Sequence, residues 1–297
     1  MTIAKKLWLA AAVAAAATGA RAESFGLRPY LAVYADEAGA ALKDPEGVAC
    51  TDDRLVVADA GNARLVTFQL KDGAAVAGKE LKLPQLAYPT RLQLDAAGVL
   101  YVLDGRKHEI AKVDPAGKFL EYVKFKGDSA YAFPRAFKVD AGGNVYVLDL
   151  TGKTSVLDPA GAVTRTLPRP PAPDNAMFTD VAVDGAGRIY VVDAVSATIW
   201  VAEKGAAALK PLGKSLKDNL NFPTYMTVLG QRLLVVDQNG HGLAAVGLDG
   251  SFFARTLGMG WSEGLVYYPV QICSNARNET FVADRNNNRV QMFLPAQ

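Results

Sequence analysis

Short apolar runs of four to seven residues recur along the chain, many alternating with polar positions and broken by Gly, Asn and Asp. A period of two interrupted by turn residues predicts strands, and nothing after residue 22 sustains a helical period. The runs fall into six similar segments, Pro45 to Ala60, Pro89 to Gly105, Pro134 to Leu150, Phe178 to Ala194, Pro223 to Gln238 and Pro269 to Arg285. Each ends on an apolar run and an aspartate, Asp59, Asp104, Asp149, Asp193, Asp237 and Asp284, at intervals of 45, 45, 44, 44 and 47 residues. The third copy reads strand AFKV, turn AGGN, strand VYVLD, turn LTGK, strand TSVLD, turn PAG, strand AVTRTL. Each copy therefore predicts one four-stranded antiparallel sheet.

Four short strands at this period fit propeller blades, because radial repetition lets every sheet bury both faces against its neighbours. The expected fold is all-β, a six-bladed β-propeller with blades near 45–83, 89–127, 134–168, 178–213, 223–258 and 269–294. The sixth copy has room for only three strands before Gln297. The apolar run from Arg28 to Asp36 precedes the first blade and is expected to supply the missing outer strand, covering two open sheet edges.

The unit P-x-G-V-A-V-D-x-x-G-N-x-Y-V-A-D-x-x-N-x-R-V-x-x-F resembles the NHL repeat. The resemblance is carried by Pro45 to Ala49 with Val56 to Phe68, and by Phe281 to Phe293; the middle copies keep the strands and turns and lose the N-x-R. It implies the propeller and leaves activity open, since this scaffold hosts binders and enzymes alike.

Half of the 297 residues are apolar and 21% are charged, which excludes a disordered tail or a coiled coil. Residues 1–22 read as a removable secretory signal: Lys5 and Lys6, an apolar stretch from Leu7 to Ala17, then Ala20-Arg21-Ala22. The remaining 23–297 form the propeller, and the expected location is periplasmic or secreted. Eleven apolar residues are too few to span a bilayer, and no membrane span is expected. Removing Lys5, Lys6 and Arg21 from the 32 basic residues leaves 29 against 30 acidic, so the formal charge of +2 becomes −1. A near-neutral chain has no electrostatic pull on phosphate backbones, so no nucleic acid is expected as partner.

The six aspartates recur in every copy, which marks them as acceptors fixing the adjacent turn rather than as chemistry. Counting from the proline (or Phe178), the third and fifth positions of each inner strand are mostly large and apolar and expected between blades. The second and fourth are expected to line the central channel, by the period of two. They include Arg91, Lys138, Asp180, Tyr225 and Gln271. One aspartate, Glu46 at the mouth and two cations do not make a calcium site. His108 and His241 lie on non-adjacent blades, so no metal and no cofactor is expected. Aromatic loops enter the inner strands, around Tyr88, Tyr131, Phe133, Phe222 and Tyr268. There Trp261 and Tyr267, with Arg91, Arg135 and Tyr225, are candidates for contact with a partner.

Cys50 and Cys273 come from blades one and six, which ring closure makes neighbours. A disulfide between them is open to the chain, yet their fifth and fourth positions point to opposite sides of a strand, which argues against it. The expected function is an exported, non-catalytic propeller, a monomer or one subunit of a complex, binding a protein of the cell envelope or a small ligand through its loop face. The alternative is a propeller enzyme of lyase or lactonase type at the channel mouth, working through Arg91, Lys138, Asp180 and Tyr225.

Overall fold

Alternation along each apolar run gives a sheet two sticky faces, and the chain satisfies both by stacking sheets around an axis. The structure is a computed structural model that describes residues 25–126 and 133–296. The leader-like segment 1–22 and Tyr131 lie outside the described residues. Six four-stranded antiparallel sheets form, and each inner strand touches the next, the sixth returning to the first. Among the described residues there is no α-helix, and no helix long and apolar enough to cross a membrane.

The inner strands are Pro45–Cys50, Pro89–Leu94, Pro134–Val139, Phe178–Val183, Pro223–Leu229 and Pro269–Ser274. The second strands end on the six repeated aspartates, and each inner strand's first residue pairs with that aspartate. One end of every blade, the loop face, therefore carries the loops entering inner strands and those leaving second strands. Tight turns close the other end. The turn after three of the inner strands is Asp-x-x-Gly, with Gly98, Gly143 and Gly187 at φ near +80°, where a Cβ would be strained.

Closure follows the expected three-plus-one arrangement: Leu27–Val33 pairs antiparallel with Arg289–Pro295 as the outer strand of blade six.

Six apolar clusters make up the core, and each fills one seam between neighbouring blades. Their membership fixes which way side chains point. Val48, Leu92, Phe137, Val181, Met226 and Ile272, the third positions, face the preceding blade. Ala49, Ala136, Ala182 and Tyr225, from second and fourth positions, face the following one. Some residues of both parities are thus spent on seams, whereas Arg91, Gln93, Lys138 and Thr227 line chambers on the axis, so the expectation that second and fourth positions line the channel holds in part. The same geometry reverses the cysteine argument. In a ring, one blade's front meets its neighbour's back, so residues on opposite sides of their own strands converge. Cys273 faces forward and Cys50 backward; their Cα atoms lie 5.9 Å apart and a disulfide joins them.

Candidate functional site

The channel is built from the residue after each opening proline. In all six blades the ladder slips by at least one residue between the first residue of the inner strand and the residues that follow. Such a bulge leaves the inserted residue unpaired and re-aims its side chain. The six inserted residues, Glu46, Thr90, Arg135, Thr179, Thr224 and Val270, form one ring lining a chamber of about 400 Å³ that opens on the loop face.

The aspartate at the end of each second strand holds this mouth in shape. Backbone N–H groups of Lys43, Tyr88, Met177, Asn221 and Tyr267 donate to Asp59, Asp104, Asp193, Asp237 and Asp284. Asp149 instead accepts from Thr151 and Lys153 in the loop that follows it. In the two copies that keep the N-x-R, Arg64 donates to Asp59 at 2.6 Å and Arg289 to Asp284 at 2.7 Å, both pairs buried. Their role is structural, as their recurrence implied.

Arg91 floors the chamber. Its guanidinium crosses the axis, donating at 2.6 Å to the Val270 carbonyl and at 2.7 Å to that of Thr224. Below it lies a packed plug. The Tyr225 ring takes Arg91 at 5.2 Å on one approach and the Lys138 ammonium at 3.7 Å on another. Lys138 also sits 3.7 Å from Asp180, which accepts the Met226 N–H at 2.8 Å. Asp180 is 1% exposed, and burial pushes its carboxyl above the usual carboxylate range, Lys138 and Arg91 offsetting part of that.

Inner-strand edges facing the axis have free backbone groups, and amide side chains cap them. Gln271 pairs with both the N–H and the C=O of Leu92, and Gln93 does the same for Val139. Gln271 belongs to blade six and Leu92 to blade two, so it reaches across blade one at Gly47. A Cβ there would lie 2.1 Å from the Thr90 carbonyl oxygen and 3.0 Å from Gln271 Oε1, so only glycine fits. Beneath the plug a second chamber of about 270 Å³ opens on the far face, lined by Lys138, Asp140 and Asp184 among others.

Of the sequence candidates, Arg91 and Arg135 meet in the upper chamber. Lys138 lines the lower one, while Asp180, Tyr225 and Gln271 are buried in the plug between. Trp261 and Tyr267 lie on the loop entering blade six, their rings 6.0 Å apart, and Tyr267 stacks on His241 at 5.3 Å. Thr90, Thr179, Thr224 and Val270 escaped sequence reasoning because the bulge breaks the period of two. A usable signal was there: five of the six residues following the strand-opening position are polar.

A larger cleft, about 690 Å³, lies outside the ring at blade one. Its charges are mutually satisfied: Arg64 contacts Asp36, Asp59 and Glu80 within 2.8 Å. Among the described residues, no three metal-binding side chains gather.

No family model matches the chain, and no curated protein matches it. Solved structures do. A streptogramin B lyase superposes with a TM-score of 0.65 at 12% identity, covering 91% of this chain and 97% of its own. The WD40 β-propeller domain of Doa1 gives 0.62 at 12%, covering 92% and 98%. A nidogen/laminin complex gives 0.55 at 18%, covering 72% and 85%. At these identities the likeness establishes the propeller fold, which lyases and binding scaffolds share.

Proposed function

We propose that this chain is an exported, non-catalytic propeller of NHL-like type that binds a protein partner of the cell envelope through its loop face. One observation carries the reading. Of the described large apolar side chains that stand exposed, Tyr34, Phe133, Leu150, Met177, Met259, Trp261 and Leu265 all sit at the loop-face end. Only Leu229, the last residue of an inner strand, stands at the far face, and the rest are on outer strands. Trp261 is 71% exposed, within reach of Tyr267, and exposed aromatic and methionine groups are what interface cores favour. The enzyme alternative fares worse because its four residues share no chamber: Arg91 faces up, Lys138 down, and Asp180 and Tyr225 neither.

The test is photocrosslinking in an exporting host, with a photoreactive residue at position 261 or 177, or at outer-strand position 253 as comparison. Defined adducts are expected from the first two, and Trp261→Ala should weaken the isolated complex by about thirtyfold, the scale of an aromatic hot spot. Adducts at position 253 alone, or a protein that stays in the cytoplasm with residues 1–22 attached, would refute the proposal.

A further inference from the structure

Many cations among the described residues have an acceptor; the upper chamber holds one that does not. Arg135 is half-buried at the chamber wall, and among the described residues no carboxylate or carbonyl accepts from it. Arg91, the other cation there, spends its donors on two carbonyls and meets no carboxylate within ion-pair distance. The one carboxylate on the wall, Glu46, is engaged by Arg285 at 3.0 Å and by the Tyr88 hydroxyl at 3.2 Å. The chamber thus holds two cations in a space of ligand size, Arg135 without an acceptor and Arg91 attracted from below by the buried Asp180.

A second, independent feature points to the same place. Thr90 and Thr179 satisfy their hydroxyls on backbone carbonyls, Leu103 and Pro223. Thr224, 8% exposed on the same ring, has a hydroxyl with no partner among the described residues. An unpaired buried hydroxyl and an unpaired guanidinium facing one chamber are costly to keep, and such cost persists where a ligand recovers it.

We propose that the upper chamber binds the carboxylate of a small organic acid, with Arg135 as its fork, the Thr224 hydroxyl as a further donor and Arg91 as the positive floor. The inference deepens the binding reading above by naming a ligand class. A planar carboxylate matches the guanidinium fork. Phosphate is disfavoured: the chamber has no lysine and no glycine-rich phosphate cradle. Burial and the neighbouring Arg91 both pull the Arg135 pKa down, so a carboxylate there would stabilise a charge that these surroundings disfavour.

The experiment is titration calorimetry and thermal denaturation of the full exported chain at low salt, with acetate, succinate and inorganic phosphate as probes. Acetate or succinate should bind and raise the melting temperature, more weakly at high salt. Arg135→Gln should lower that affinity at least tenfold, and Thr224→Val about tenfold to a hundredfold, the range of a hydrogen bond to a charged group. Without ligand, Arg135→Gln should melt higher than the parent by about 2–4 °C, because an uncompensated cation has gone. The exposed Lys204→Gln should change neither quantity. No binding by either acid, phosphate bound in preference, or an Arg135→Gln chain that binds as the parent does would overturn the proposal. The probes need no protein partner, so a loop face that captures nothing leaves this test intact, and a silent chamber leaves the crosslinking test intact.

Discussion

His241 shows how much one residue in this ring is asked to do. It occupies the left-handed region at φ +54°, stacks on Tyr267 and accepts the Tyr268 N–H at 3.2 Å through Nδ1. A protonated ring could not accept that bond. Burial pulls its pKa below the ordinary histidine value, Asp237 opposing and Arg255 assisting. The sign follows: the unfolded chain binds this proton more readily, so folding stability is lost as pH falls through the free-histidine value near 6.5. His241→Asn keeps a side chain that tolerates the left-handed backbone and removes the titration. Urea midpoints at pH 7.5 and 5.5 should therefore drop further in the parent than in the variant; equal drops would show that His241 contributes nothing to the acid sensitivity. At this scale the sequence was legible where residue type decides the role, as for the repeated aspartates. It was not where position decides it. Arg135 and Thr224 owe their aim to a bulge, and a bulge is set by pairing with another strand, which counting along one strand cannot reveal.

Elements were read more completely, because alternation and turn chemistry are local. The inner and second strands fall where apolar runs lie between Asp-x-x-Gly turns and the repeated aspartates, and the run from Leu27 became a strand although its partner lies more than 250 residues away. That strand is the most exposed of the four in blade six, with Pro29 and Tyr30 beside a slip in its register. What anchors it is the chain on either side of its end: Tyr34 reaches Glu263 and accepts from Arg289, and Asp36 pairs with buried Arg64 at 2.6 Å. Deleting residues 23–36 would bare the edge Arg289–Pro295 and strip an acceptor from Arg64 together. Arg64 would keep Asp59 and Glu80, so the bared edge carries most of the expected loss. The truncated chain should lose its cooperative melting transition or appear as oligomers through edge pairing; a monomer with an unchanged transition would show that closure does not depend on this strand.

For the whole molecule, the ring has one seam unlike the other five. Blades one to six follow each other along the chain, so five seams are spanned by a short loop, while the seam between blades six and one joins residues at opposite ends of the sequence. Its links are correspondingly varied: the closing strand, the Glu46–Arg285 pair, Ala276 N–H donating to Asp52 at 2.9 Å, Asp44 N–H donating to Asn288 at 2.8 Å, and the Cys50–Cys273 disulfide. The count of six repeats made the ring legible, but the disulfide was misjudged by treating one strand in isolation, when convergence is a property of two blades facing each other. A cross-link separating its cysteines by 223 residues removes much freedom from the unfolded chain, up to about 5 kcal/mol on the chain-entropy estimate, with about 2–4 kcal/mol typical of measurement. Replacing both cysteines by serine should lower unfolding free energy by that smaller amount and keep the native circular dichroism. The effect should also have an address. Because opening at this seam breaks no chain connection within the run of blades, amides of Pro45–Cys50 and Pro269–Ser274 should lose exchange protection beyond the uniform loss that lower global stability imposes. A loss equal at all six inner strands would mean that the ring opens only as one unit and that the disulfide acts on the unfolded chain alone.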